Sequence, residues 1–120
     1  MNKEQQLQRT KRFAFNVIKL TAKLSEFRIA RIIGDQLLRS GTSVGANYRA
    51  ACRAKSSKDF INKMKIVEEE ADETLYWLEL LEQANLISQD ELLPIKTEAN
   101  ELLAIFVAAL KSAKRNLGIY

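Results

Sequence analysis

Five arginines, Arg28, Arg31, Arg39, Arg49 and Arg53, follow one another in steps of three and four once Asp35, Thr42 and Ala46 are counted between them. On a helix that spacing sets all five guanidinium groups along one face. A guanidinium is a rigid fork whose donors match phosphate oxygens, so such a line could track a nucleic-acid backbone and lose its grip as salt rises. Lys55, Lys58, Lys63 and Lys65 carry the basic character past the end of the stripe. A second reading uses the same residues: the arginines pair with the acids that follow in the chain, across a helix seam or a subunit seam. Base reading is not expected on either view, because only Gln36 and Asn47 offer side chains of the type that pair with base edges there.

Other chemistry is thinly supported. The chain has no histidine, which removes the commonest general base and the commonest transition-metal ligand, so no catalytic residue, cofactor or metal is expected. The acids Glu68, Glu69, Glu70, Asp72 and Glu73 straddle the apolar positions Val67 and Ala71, as charges flanking a helix seam do. The segment Ser40 to Asn47 has the glycines of a phosphate-cradling loop but not its lysine, and apolar periodicity runs through it. Gly34, Gly41 and Gly45 therefore form a small-residue helix face. Each costs up to about 1 kcal/mol against alanine, which calls for a close neighbour, a helix rather than a ligand. Cys52 has no partner for a disulfide and suits a small buried thiol better than a reactive one. Tyr76 and Trp77, set among Leu75, Leu78 and Leu80, fit a core or subunit contact better than base stacking.

The elements that must position these residues are helices. With four glycines and one proline in 120 residues, the chain has little turn chemistry for a β fold and is sized for a single domain over residues 1–120. The first apolar stripe runs through Leu7, Ala14, Val17 or Ile18, Thr21 and Leu24, with Phe13 and Phe15 beside it, giving a helix from about Glu4 to Leu24. Ser25 offers an N-cap for a second, through Ala30, Ile33, Leu37, Gly41, Val44, Tyr48 and Ala51, ending near Ala54. Ser56 with Asp59 caps a third, through Phe60, Met64, Val67, Ala71, Thr74, Leu78 and Leu81, with Asn85 as its stop. Ser88 with Glu91 caps the fourth, through Leu92, Ile95, Ala99, Leu102, Phe106, Ala109 and Ala113. Pro94 predicts a kink or a later start, and Lys114 to Tyr120 reads as a tail. Long helices joined by short connectors give an all-α, antiparallel up-and-down four-helix bundle.

Charge is divided unevenly along this plan. Residues 1–65 hold fifteen Lys/Arg against four acids, net +11, and residues 66–120 hold four against eleven, net −7. Such asymmetry points to a polyanionic partner, or to basic and acidic helices neutralising each other. No apolar run approaches the length of a membrane span and no leader pattern opens the chain, so a cytoplasmic location is expected.

The run Gln36-Leu37-Leu38-Arg39-Ser40-Gly41-Thr42-Ser43-Val44-Gly45-Ala46-Asn47-Tyr48-Arg49, then Ser57, Asp59-Phe60, Lys63, Glu70-Ala71, Glu73-Thr74 and Tyr76-Trp77-Leu78, resembles a bacterial family of four-helix bundles. That family consists of the proteins read from intervening sequences of large-subunit ribosomal RNA genes, with accessory proteins of diversity-generating retroelements among its relatives. The resemblance is specific from Gln36 to about Leu81. It implies a non-enzymatic homo-oligomer, a pentameric ring, and for the retroelement branch a basic surface that binds nucleic acid and a reverse transcriptase partner. Ala50, where relatives often carry an acid, and Glu68 and Glu69, where other branches carry a base, depart from the family's pattern.

Overall fold

A first helical turn leaves backbone N–H groups without partners, and an oxygen-bearing side chain just before it can accept from one of them. Asn2, Ser56 and Ser88 do this for three helices, accepting from the N–H groups of Gln5, Asp59 and Glu91. In the computed structural model, which describes residues 2–24 and 26–119, these are α1 (Lys3–Ala22), α3 (Ser57–Gln83) and α4 (Gln89–Asn116). α2 (Arg28–Cys52) starts without such a cap, at Phe27. The cap expected at Ser25 lies outside the described residues, as does Tyr120.

Register fixes the topology. Moving up α2, Gly34 faces Leu24, Gly41 faces Val17 and Gly45 faces Thr10, so α1 descends as α2 rises. Arg39 of α2 meets Glu70 and Glu73 of α3, Glu82 meets Lys96 across α3 and α4, and Arg9 meets Glu98 and Glu101 across α1 and α4. Each helix thus packs on its chain neighbours and α4 closes back on α1, an all-α up-and-down bundle 48 Å long.

One continuous core fills it, with Leu37, Val44, Met64, Val67, Leu78, Leu81, Leu92, Leu102 and Phe106 among the side chains it buries. The apolar stripes expected on α2, α3 and α4 lie on this core. That of α1 is rotated: Gln6, Thr10, Phe13, Val17 and Leu20 are buried, while Leu7, Ala14, Thr21 and Leu24 are half-buried. α1 carries apolar residues on two sides, and the side holding Phe13 is the one turned inward.

The last helix also departs from expectation. It begins at Gln89 and continues through Pro94, which is exposed, so the carbonyl that loses its partner there can be met by water. At its other end it runs to Asn116 rather than giving way to a tail at Lys114. Gly118 adopts φ 73° and the N–H of Ile119 reaches back to the Lys114 carbonyl at 2.8 Å, closing the helix with a left-handed glycine. Asn85, at φ 54°, closes α3 in the same way, with Leu86 N–H bonded to the Leu81 carbonyl.

Candidate nucleic-acid interface

The face of α2 that carries its arginines is opposite the one that packs. Ala30, Gly34, Leu37, Gly41, Val44 and Ala51 are buried, whereas Arg28, Arg31, Arg39, Arg49 and Arg53 are all exposed. The small-residue face brings α2 this close to α1. A Cβ on Gly41 would sit 2.8 and 2.9 Å from the two methyls of Val17, and one on Gly45 would sit 3.2 Å from the Thr10 carbonyl oxygen. The Ser40–Asn47 segment is regular helix rather than a loop.

The arginines are not equivalent. Arg39 forks onto α3, one arm to Glu70 at 3.0 Å and the other to Glu73. The Glu73 carboxyl is held below its ordinary range chiefly by the Arg39 hydrogen bond, and it also accepts from the Trp77 indole at 3.2 Å. Among the described residues, Arg28, Arg31, Arg49 and Arg53 make no ion pair, and neither do Lys55 and Lys58 of the following turn. Lys63, by contrast, is paired with Asp59 at 2.6 Å.

The acids of the second half are spent elsewhere. Glu98 takes both arms of Arg9 at 2.6 and 2.7 Å, which pulls its carboxyl below the ordinary range, with Glu101 adding a third contact. Glu82 is likewise lowered, first by Lys96 and then by Gln89. Partial neutralisation of the basic half by the acidic one is therefore real at Arg9 and Arg39 and leaves most of the α2 stripe untouched. α2 also opens with Arg28 and Arg31 and has no acid in its first turn, the reverse of what the helix dipole favours. Stability alone does not account for cations there.

Four cations lie outside the basic surface expected from the sequence. Lys111, Lys114 and Arg115 belong to helical α4, and Lys3 opens α1; in an antiparallel bundle these ends lie beside the end of α2. The signal available was Gly118, whose position after a basic run marks a helix end. Cys52 is half-buried, and the adjacent Tyr48 hydroxyl is pushed well above its ordinary value, by burial first and by the Cys52 thiol second. No group of three or more Cys, Asp or Glu among the described residues is placed to hold a metal ion, and no helix is long and apolar enough to cross a membrane.

Fold and surface together define a class: an up-and-down helical bundle with an exposed row of arginines on α2, of which Arg39 is engaged by α3. The chain belongs to the 23S rRNA-intervening sequence protein family, whose pattern it matches over residues 2–108. It is similar to a protein of unknown function from the S23 ribosomal protein family of Bacteroides thetaiotaomicron VPI-5482. The two are 35% identical, with 92% of this chain and 99% of that one covered and a TM-score of 0.85. No curated protein matches the chain.

Proposed function

We propose that this protein is a non-enzymatic, cytoplasmic, oligomeric accessory protein that binds RNA or DNA through phosphate contacts along α2. The observation that carries the reading is the division among the α2 arginines: Arg39 is engaged by α3, while Arg28, Arg31, Arg49 and Arg53 stand exposed and unpaired on the same face. Lys55 and Lys58 continue that surface beyond the helix. Contacts of this kind fix a backbone and carry no sequence information, so specificity for sequence is weak. The family's description as proteins of a 23S rRNA intervening sequence agrees with an RNA-related role.

A scaffold that uses these arginines to grip acids of a neighbouring subunit is the competing reading, favoured by the way Arg39 already grips two acids. Arg49→Glu with Arg53→Glu separates the two. Fluorescence anisotropy with labelled RNA and DNA at about 50 and about 200 mM salt should show wild-type binding that weakens steeply with salt, and lost binding in the variant with its oligomer intact. An intact wild-type oligomer that binds neither polymer at the lower salt, or a variant that falls apart, decides for the scaffold.

A further inference from the structure

Resting on the nucleic-acid reading above, the geometry points to one end of the bundle as a pocket for an unpaired nucleotide, which makes the protein a binder of single strands in preference to duplex. The antiparallel plan gathers at this end the start of α1, the end of α2, the α2–α3 turn and the end of α4. Between them lies an open cavity of about 620 Å³, with Tyr48, Phe60 and Ala51 among its apolar lining and Lys3, Lys55 and Asn116 among its polar lining. A second hollow of about 530 Å³ runs from it between α1 and α2, past Arg49, Arg53 and Lys11. On the far side Lys111, Lys114 and Arg115 border a third, between α3 and α4.

Cations from four separate elements therefore ring one end, and none of Lys3, Arg49, Arg53, Lys55, Lys111, Lys114 or Arg115 makes an ion pair among the described residues. The acids nearby are few. Asp59 is taken by the Lys63 side chain and the Lys55 N–H, and Glu4 and Glu68 border the two side hollows. The bundle's remaining ion pairs lie towards its middle and its opposite end, at Arg9, Arg39 and Lys96.

Cationic rims with aromatic walls are what unpaired nucleotides need: phosphates meet the lysines and a base lies against the aromatic surface, which every base can do. A duplex keeps its bases stacked and can use only the rim. The preference for single strands follows from the pocket rather than from the α2 stripe, which would accept either form.

The test is anisotropy with single-stranded RNA, single-stranded DNA and blunt duplexes of each, using the full chain and three variants. Lys3→Glu with Lys55→Glu changes two exposed side chains and should weaken single-strand binding by about tenfold. Phe60→Leu keeps the apolar volume, removes the ring and should weaken it several-fold, with a thermal melt confirming the fold. Arg28→Glu with Arg31→Glu, at the other end of α2, should cost single strands and duplexes alike. Wild-type binding of duplex as tight as of single strands overturns the pocket, and so does undiminished single-strand binding by the Lys3/Lys55 variant. Either result leaves the α2 reading standing, whereas a wild-type protein that binds nothing removes both.

Discussion

Gln6 is the residue most at odds with its surroundings. It is 3% exposed, and among the described residues neither its amide nitrogen nor its amide oxygen meets a hydrogen-bond partner. Other buried polar groups are satisfied: Thr74 Oγ1 donates to the Glu70 carbonyl at 2.7 Å and lies 3.1 Å from Ser40 Oγ, and Thr10 Oγ1 lies 3.0 Å from the Gln6 carbonyl. An unsatisfied buried polar group carries its desolvation cost without compensation, about 1–3 kcal/mol. Gln6→Leu, similar in size, should therefore raise stability by about that amount in a denaturant titration, and a loss would mean the amide has a partner after all. The sequence did not announce this residue. Leu7 beside it is apolar, and reading the stripe through Leu7 turns Gln6 toward solvent; only the packing of Phe13 and Val17 inward puts Gln6 in the core. Arg39 was hidden for a related reason. Its spacing is the same as that of Arg49, and nothing in that spacing says which arginine will face Glu70 and Glu73.

At the scale of elements, α1 and α2 press close together, and glycines make it possible. The two methyls of Val17 occupy the space a Cβ on Gly41 would need, and Val17 is fully buried with a stiff β-branched side chain. Gly41→Ala gains helix propensity of about 1 kcal/mol. Against that, overpacking costs about 1–3 kcal/mol. The net expectation is destabilisation, and a double-mutant cycle reports its cause: in a Val17→Ala background the same Gly41→Ala change should become neutral or stabilising. Equal effects in both backgrounds would place the clash elsewhere. This seam was readable in advance, because three glycines inside a periodic apolar stretch are costly unless a neighbour presses close. Helix ends were readable where an oxygen side chain or a left-handed residue marks them, as at Ser56, Ser88 and Asn85. The start of α2 was not, since Phe27 supplies no side-chain cap. The α1–α4 seam was equally hidden, because the pairing of Arg9 with Glu98 joins residues 89 apart in the chain.

At the scale of the molecule, the two ends differ in kind. One end collects unpaired cations from four elements; near the other, around the start of α2, Phe27, Ile29 and Ile32 are 71%, 64% and 52% exposed and are interleaved with Arg28 and Arg31. Ile29 and Ile32 are three residues apart and so share a face of the helix. Burying a side chain of that size stabilises by about 1.5–3 kcal/mol, a strong reason for copies of the chain to associate there. We propose that copies meet on this face, with Arg28, one turn before Ile32, at its border and the opposite end open to a strand. Ile29→Asp with Ile32→Asp should leave helix content close to wild type, since neither side chain belongs to the core, while its melting transition should lose the stabilisation and the concentration dependence that association gives the wild type. The same variant should sediment as a 13.7 kDa monomer where the wild type sediments as a multiple of that mass, with five the expected number. Joining several basic ends in one particle also raises the local concentration of binding sites along a strand. The monomeric variant should therefore bind long single strands far more weakly than the wild type, yet bind strands too short to reach two subunits equally well. A wild-type protein that already sediments at 13.7 kDa removes the oligomer from the proposal, and equal binding of long strands by both would show that each bundle acts alone.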